Sequence, residues 1–195
     1  HDALPISEVA EILGAGVAKA LLGKTALPDD LPWVTGSMGL LGTPASDALM
    51  KGCDTLLWVG SGFPYAEYLP KPGSVRGVQI DLDAGMLGLR YPMEVNLQGD
   101  SAATLRALIP LLKRKEARGW REQVEKSVRD SREALAGEAA VEADPINPQK
   151  IATELTPRLP DRAIVTADSG TTTVWWARNL DLREGMMGSV SGTLA

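Results

Sequence analysis

Two glycine-centred turns constrain this chain more than any other feature. One is Gly36-Ser37-Met38-Gly39-Leu40-Leu41-Gly42 and the other is Gly60-Ser61-Gly62-Phe63-Pro64-Tyr65. The second follows directly on an apolar run, Thr55-Leu56-Leu57-Trp58-Val59, which reads as a strand. A strand that runs into glycines leaves bare backbone N–H groups at the carboxyl edge of a sheet, where a nucleotide phosphate can approach closely. A third element, Asp81-Leu82-Asp83, closes another strand and offers carboxylates to a ribose or an adenine edge. Together they imply a nucleotide-binding α/β domain.

The rest of the pattern agrees with that class. A helix is expected over 7–15, capped by Ser7, with Val9, Ile12 and Leu13 on one face. Gly14-Ala15-Gly16 is spaced like part of a dinucleotide fingerprint, but it follows a helix instead of a strand and reads as a helix stop. A buried strand is expected over 17–22, a helix over 46–52, and strands over 55–59, 75–80 and 95–97, with a helical turn at 86–89. Ser101 is expected to cap an amphipathic helix carrying Leu105, Leu108, Ile109 and Leu112, kinked at Pro110. Apolar strands without clean alternation favour an open, mostly parallel sheet with helices on both faces. A charged helix over 116–136 and a linker over 137–145 separate this unit from a second one. The second starts at Asn147-Pro148 with a helix, continues through a strand over 163–167, and enters a helix carrying Val174, Trp175, Trp176 and Ala177. The domain division is thus 1–115, a helix and linker over 116–146, and 147–195. The stretch 2–7 resembles a translated sequencing adapter and is set apart as a scar; both ends read as cut.

Composition excludes several classes. The net charge of −5 gives no electrostatic case for nucleic acid or an anionic membrane surface. The single cysteine, Cys53, rules out an internal disulfide and reads as a small buried residue in a reducing cytoplasm. No apolar run is long enough to cross a bilayer. The one histidine, His1, lies in the suspected scar, so a Ser-His-Asp arrangement and a His/Cys metal cluster are both out of reach.

Each motif has a plainer alternative. The first glycine turn could simply let a loop cross a helix, Gly60 to Tyr65 could be a tight turn with an aromatic plug, and Asp81 and Asp83 could be a solvated strand end. Asp168-Ser169-Gly170-Thr171-Thr172 joins a strand end, a glycine and two hydroxyls at a helix start, which suits a diphosphate; its alternative is an ordinary helix cap. Trp175 and Trp176 fit a core or a subunit interface better than a substrate platform.

Taken in order, these segments, with Leu21-Leu22-Gly23-Lys24, Gly99-Asp100-Ser101 and Val174-Trp175-Trp176-Ala177-Arg178, resemble the thiamine-diphosphate-dependent enzymes of the acetolactate synthase and pyruvate oxidase group, in particular the branch of pyruvate dehydrogenase (quinone). The resemblance implies a central domain with a six-stranded parallel sheet, whose first strand would precede this chain, followed by the start of the domain that grips the cofactor diphosphate. It implies FAD along Thr35, Gly36, Gly39, Leu40, Gly60, Gly62, Phe63 and Tyr65, with Asp81, Asp83 and Asp100 near the adenosine. It implies thiamine diphosphate against Gly170, Thr171, Thr172, Ser191 and Gly192. Ser61-Gly62 departs from the commoner Thr-X before Phe-Pro-Tyr. The activating glutamate and the ligands of Mg2+ would lie outside the chain, so it would hold no catalytic or metal residue and be inactive alone. The implied reaction is decarboxylation of pyruvate or a related small 2-oxo acid, in a cytoplasmic homodimer or homotetramer that touches a membrane peripherally only if quinone-linked. A carboligase of the acetolactate synthase kind and a non-catalytic nucleotide-binding module are the alternatives.

Overall fold

The computed structural model describes residues 4–191. It opens with helix α1 (Leu4–Leu13), strand β1 (Val17–Lys19), strand β2 (Val34–Ser37) and helix α2 (Pro44–Gly52). Strands β3 (Thr55–Val59), β4 (Arg76–Asp81) and β5 (Val95–Gln98) follow, then helices α3 (Ser101–Leu108) and α4 (Gly119–Ala139). The second unit comprises α5 (Pro148–Leu155), β6 (Ile164–Ala167), α6 (Thr171–Asn179) and β7 (Met187–Val190). Every strand pair is parallel, in three ladders: β1-β2, β3-β4-β5 and β6-β7. The expected parallel α/β class is therefore present. The five strands of the first unit are not one continuous sheet, however, and no ladder joins β1-β2 to β3-β4-β5 among the described residues.

Helix α1 stands between the two ladders of the first unit. Its neighbours Val9 and Ala10 project into different cores: Val9 with Ile80 and Leu105, Ala10 with Leu27, Trp33, Val34, Leu49 and Val124. Ile80, on the central strand β4, is fully buried, and burying a side chain of that size contributes about 1.5–3 kcal/mol. A third core gathers Trp176, Ala177, Leu180, Leu182, Met186 and Val190, and it is closed in part by Leu21 and Leu41 of the first unit.

Several expectations shift. α1 starts at Leu4, and Ile6 packs against two cores, so the stretch set apart as a scar supplies the helix's first turn and core contacts. Strand β1 stops at Lys19 because Leu21–Ala26 winds into a 3-10 turn that carries Lys24 inward. The cap of α3 is Asp100, not Ser101. At Pro110 the kink takes the form of a switch to 3-10 geometry over Ile109–Leu111, where the ring costs no α-helical hydrogen bond. α4 runs on to Ala139 and shortens the linker. Cys53 ends α2 half-buried, and burial pushes its thiol above the usual range. Among the described residues no helix is long and apolar enough to cross a membrane.

Candidate functional site

The three strand ends of the first unit form one rim. Gly60 N donates to Ile80 O at 2.9 Å, and Gly99 N donates to Asp81 O at 2.9 Å, so the tips of β3, β4 and β5 lie side by side. Each carboxylate on this rim orders a turn. Asp81 accepts from Asp83 N (3.0 Å), Asp83 from Gly85 N (2.8 Å), and Asp100 caps α3 by accepting from Ala103 N (2.8 Å). Asp83 and Asp100 remain exposed and Asp81 half-exposed. Gly60 and Gly62 are both exposed beside them.

The two glycine turns pack against each other. Gly39 has φ +92°, a conformation that an L side chain rarely adopts, and a Cβ there would stand 2.9 Å from Phe63 Cζ. Phe63 is thereby buried, with its ring edge-on to Tyr65 at 5.4 Å, while Tyr65 is 54% exposed and Leu40, at the apex of the first turn, is 73% exposed. Thr35 behaves differently. It is buried, its Oγ1 donates to Val17 O (3.2 Å) and lies 2.9 Å from Ser46 Oγ, and its carbonyl accepts from Thr43 Oγ1. Its side chain holds β2 against β1 and α2 and does not face the surface, whereas Gly36 and Gly39 stay partly accessible.

In the second unit, Gly170 (φ +80°) starts α6 without any side-chain cap, and a Cβ there would meet open space. Thr171 and Thr172 are exposed, so the opening amides of α6 stand beside two hydroxyls with no internal acceptor supplied by the cap residue. Thr173 turns the other way and donates to Asp168 O. Ser191 N donates to Ala167 O at 3.1 Å, which puts Ser191 beside the end of β6. Gly170, Thr171, Thr172 and Ser191 thus gather at one end of the β6-β7 pair; Gly192 lies outside the described residues. Trp176 is buried in the third core, with Trp175 half-buried beside it.

A cleft of about 280 Å³ lies between the first glycine turn and the second unit, lined among others by Met38, Gly39, Leu40, Tyr68, Leu135 and Arg178. It takes in two of the residues expected from sequence, Gly39 and Leu40. The rim at Gly60, Asp81 and Asp100 and the turn at Gly170 open elsewhere.

Sequence reasoning missed a buried ionic cluster. Lys19 Nζ lies 2.7 Å from Asp29 Oδ1 and Lys24 Nζ lies 2.9 Å from Asp29 Oδ2, all three being almost fully buried. Lys19 also donates to Lys24 O (2.8 Å) and Leu27 O (2.7 Å), and Lys24 donates to Ala177 O (3.2 Å). Asp29 N donates to Leu182 O (2.8 Å), and Asp29 Oδ2 accepts from Leu182 N (2.9 Å). Burial would push the Asp29 carboxyl up, but the Lys24 and Lys19 ammoniums outweigh it and hold it below the usual range. Burial pulls Lys19 below the usual lysine range despite Asp29. Burial also raises nearby Asp181, against the pull of Arg132. The signal was legible: two lysines in the otherwise apolar run Val17-Ala18-Lys19-Ala20-Leu21-Leu22-Gly23-Lys24 must either break it or find a buried partner.

Among the described residues no three His, Cys, Asp or Glu side chains converge as a metal site. A family model for the thiamine pyrophosphate enzyme central domain matches residues 4–108. The chain is similar to the putative thiamine pyrophosphate-containing protein YdaP of Bacillus subtilis, 31% identical over 188 residues that cover 96% of this chain and 32% of that protein. It is similar to a probable acetolactate synthase large subunit of Methanocaldococcus jannaschii, 25% identical over 87% of this chain and 30% of that protein. It also resembles a pyruvate oxidase of Lactiplantibacillus plantarum, 30% identical over 50% of this chain and 16% of that protein. The chain spans about a third of the length of the first two of these relatives. A parallel α/β fold with glycine turns at its strand ends, and a family match over more than half of the residues, lead to one conclusion: the chain belongs to the thiamine pyrophosphate enzymes, with residues 4–108 matching their central domain.

Proposed function

We propose that this chain is the middle portion of a longer thiamine-diphosphate enzyme that decarboxylates pyruvate or a related small 2-oxo acid and passes the electrons to a flavin. The observation that carries the reading is the start of α6, where uncapped amides, an open glycine and two exposed hydroxyls stand together at a strand end. That donor set fits a diphosphate, because N–H groups and hydroxyls at a helix start meet an anion without a charged side chain. Gly170, Thr171 and Thr172 would hold the diphosphate, with Ser191 beside them. In the first unit the exposed Gly60 and Gly62 would lie along a second diphosphate chain, with Ser101 Oγ and Met86 Cε beside them. Tyr65 offers an exposed aromatic wall braced by Phe63, and Asp81, Asp83 and Asp100 each present an acceptor to ribose hydroxyls or an adenine amine. When bound, thiamine diphosphate supplies the carbon nucleophile and electron sink for 2-oxo acid cleavage, and FAD accepts an electron pair.

The test is the absorption spectrum of the full-length protein as purified, followed by addition of pyruvate without oxygen. A flavin band that bleaches only when thiamine diphosphate and Mg2+ are present supports the reading; no flavin band, or a band indifferent to pyruvate, refutes its redox part. A second reading, a carboligase in which FAD is structural, is favoured by the similarity to a probable acetolactate synthase. It predicts an unbleached flavin together with release of a condensed hydroxy-oxo acid product.

A further inference from the structure

We infer that Arg178 is a positioning residue that transmits occupancy of the diphosphate turn to the first glycine turn; the inference rests on the reading of Gly170, Thr171 and Thr172 given above. Arg178 lies in the last turn of α6, the helix that begins at Gly170. Eight residues at 1.5 Å each put it roughly 12 Å along a rigid rod from that start. Its Nε donates to Gly42 O (3.1 Å) and its Nη2 donates to Leu40 O (2.9 Å). Two donors of one planar guanidinium therefore hold two carbonyls of one turn, a fork that no other side chain offers with the same rigidity. Between those carbonyls, Leu41 packs against the third core. The turn itself is closed by Gly42 N donating to Gly39 O at 2.8 Å.

The opposite side of the same turn carries Gly39 against Phe63. The turn is thus a plate with α6 on one side and the aromatic wall of the second glycine turn on the other. Arg178 forms no ion pair among the described residues, although it lines a cleft that also includes Asp47 and Glu138. Its hydrogen bonds are spent on backbone carbonyls alone. A ligand that fixes the start of α6 fixes the rod, and the rod holds the plate through this fork.

The experiment is amide hydrogen exchange on the full-length protein, with and without thiamine diphosphate and Mg2+, in the parent, Arg178→Met and Arg178→Lys. In the parent, the cofactor should slow exchange both in a peptide covering 168–173 and in one covering 38–43, the latter by at least about fivefold. In Arg178→Met the first peptide should keep its protection and the second should lose its response; Leu41 keeps the turn seated in the core. Arg178→Lys, which can reach one carbonyl but not both, should restore part of the response and serves as the sole variant if Arg178→Met does not fold. A cofactor response at 38–43 that is undiminished in the variants overturns the inference, as does its absence in the parent when 168–173 is protected. Absence of protection at 168–173 in the parent means that the diphosphate reading itself is wrong, and the inference falls with it. A merely structural role would raise exchange at 38–43 in the cofactor-free variants while leaving the cofactor-induced change intact, which also counts against it.

Discussion

Asp29→Asn should be the most damaging isosteric change in this chain. The substitution keeps volume and can keep the hydrogen bond from Leu182 N, but it removes the one carboxylate that, among the described residues, is in direct contact with the Lys19 and Lys24 ammoniums. Both lysine side chains are 2% exposed, so two cations would be left in the interior. Breaking a buried pair by deleting one partner costs about 3–5 kcal/mol. An independent bound agrees: the cheapest escape is for one lysine to fold without its proton, which at pH 7 costs about 4–5 kcal/mol at 1.36 kcal/mol per pH unit below 10.4. That is a large share of the ~5–15 kcal/mol that holds a domain together. The assay is urea unfolding of parent and variant followed by tryptophan fluorescence, at pH 7, 8, 9 and 10. If one lysine folds neutral, the unfolded chain binds one more proton than the folded one, so variant stability rises with pH by about 1.4 kcal/mol per unit. The deficit against the parent should narrow accordingly. A deficit under about 1 kcal/mol at pH 7 would refute the burial of the cluster, and a large deficit that ignores pH would refute the electrostatic origin.

The same cluster gives the parent an acid limb. Asp29 has a folded pKa below its unfolded value, so its contribution is present above the unfolded carboxylate range and lost as pH falls through the folded value; Asp181, with a raised pKa, acts in the opposite sense and weakens folding as pH rises through its own folded value. Acid titration of the unfolding free energy should show net loss below about pH 4 in the parent, and a flatter limb in Asp29→Asn. Gly39→Ala should cost about 1–3 kcal/mol, because φ +92° is strained for alanine and its Cβ would press on Phe63 at 2.9 Å; an unchanged chemical-denaturation midpoint would count against the contact. Asp100→Ala should cost about 1 kcal/mol through the lost cap of α3 and leave the rest of the fold intact, as read by circular dichroism and thermal midpoint. Leu105→Ala, at 1% exposure beneath Ile80, should cost about 2–5 kcal/mol in the same assay.

Long-period features were legible in the sequence. Strand β3 stands where the apolar run places it, and β4, β5, α2 and α5 lie within one or two residues of expectation. The glycine turns fall at strand ends, as a strand running into Gly60 implies. What escaped were β2 and β7, Val-Thr-Gly-Ser and Met-Gly-Ser-Val. Each is four residues long with a central glycine and a serine, poor strand formers that are held extended by a parallel partner instead of by propensity. The side-chain partners of Thr35 were likewise out of sight, because only the packing of β2 on β1 and α2 brings Val17 O and Ser46 Oγ to its hydroxyl. Two lysines in an apolar run signalled a buried partner, but that the partner is Asp29 emerges only from the 3-10 turn and loop that bring it back to Lys19 and Lys24.

The cluster also bears on how the two units relate. Leu21 and Leu41 help to close the third core, Lys24 donates to Ala177 O, Asp29 brackets Leu182 through its own amide and carboxylate, and Arg178 reaches back to Leu40 and Gly42. Every one of these contacts joins the segment 19–42 to the segment 176–190. The apolar contacts give the interface its area, and the polar ones fix its register, because a slip by one residue would take Ala177 O from Lys24 and both Leu182 backbone groups from Asp29 and leave buried polar groups unpaired. A slip of α6 along the first unit is therefore penalised at both ends of the interface, by Asp29 near one and by Arg178 near the other. The glycine turns at Gly36 to Gly42 and at Gly170 are consequently held in one frame, which is the premise of the coupling proposed through Arg178.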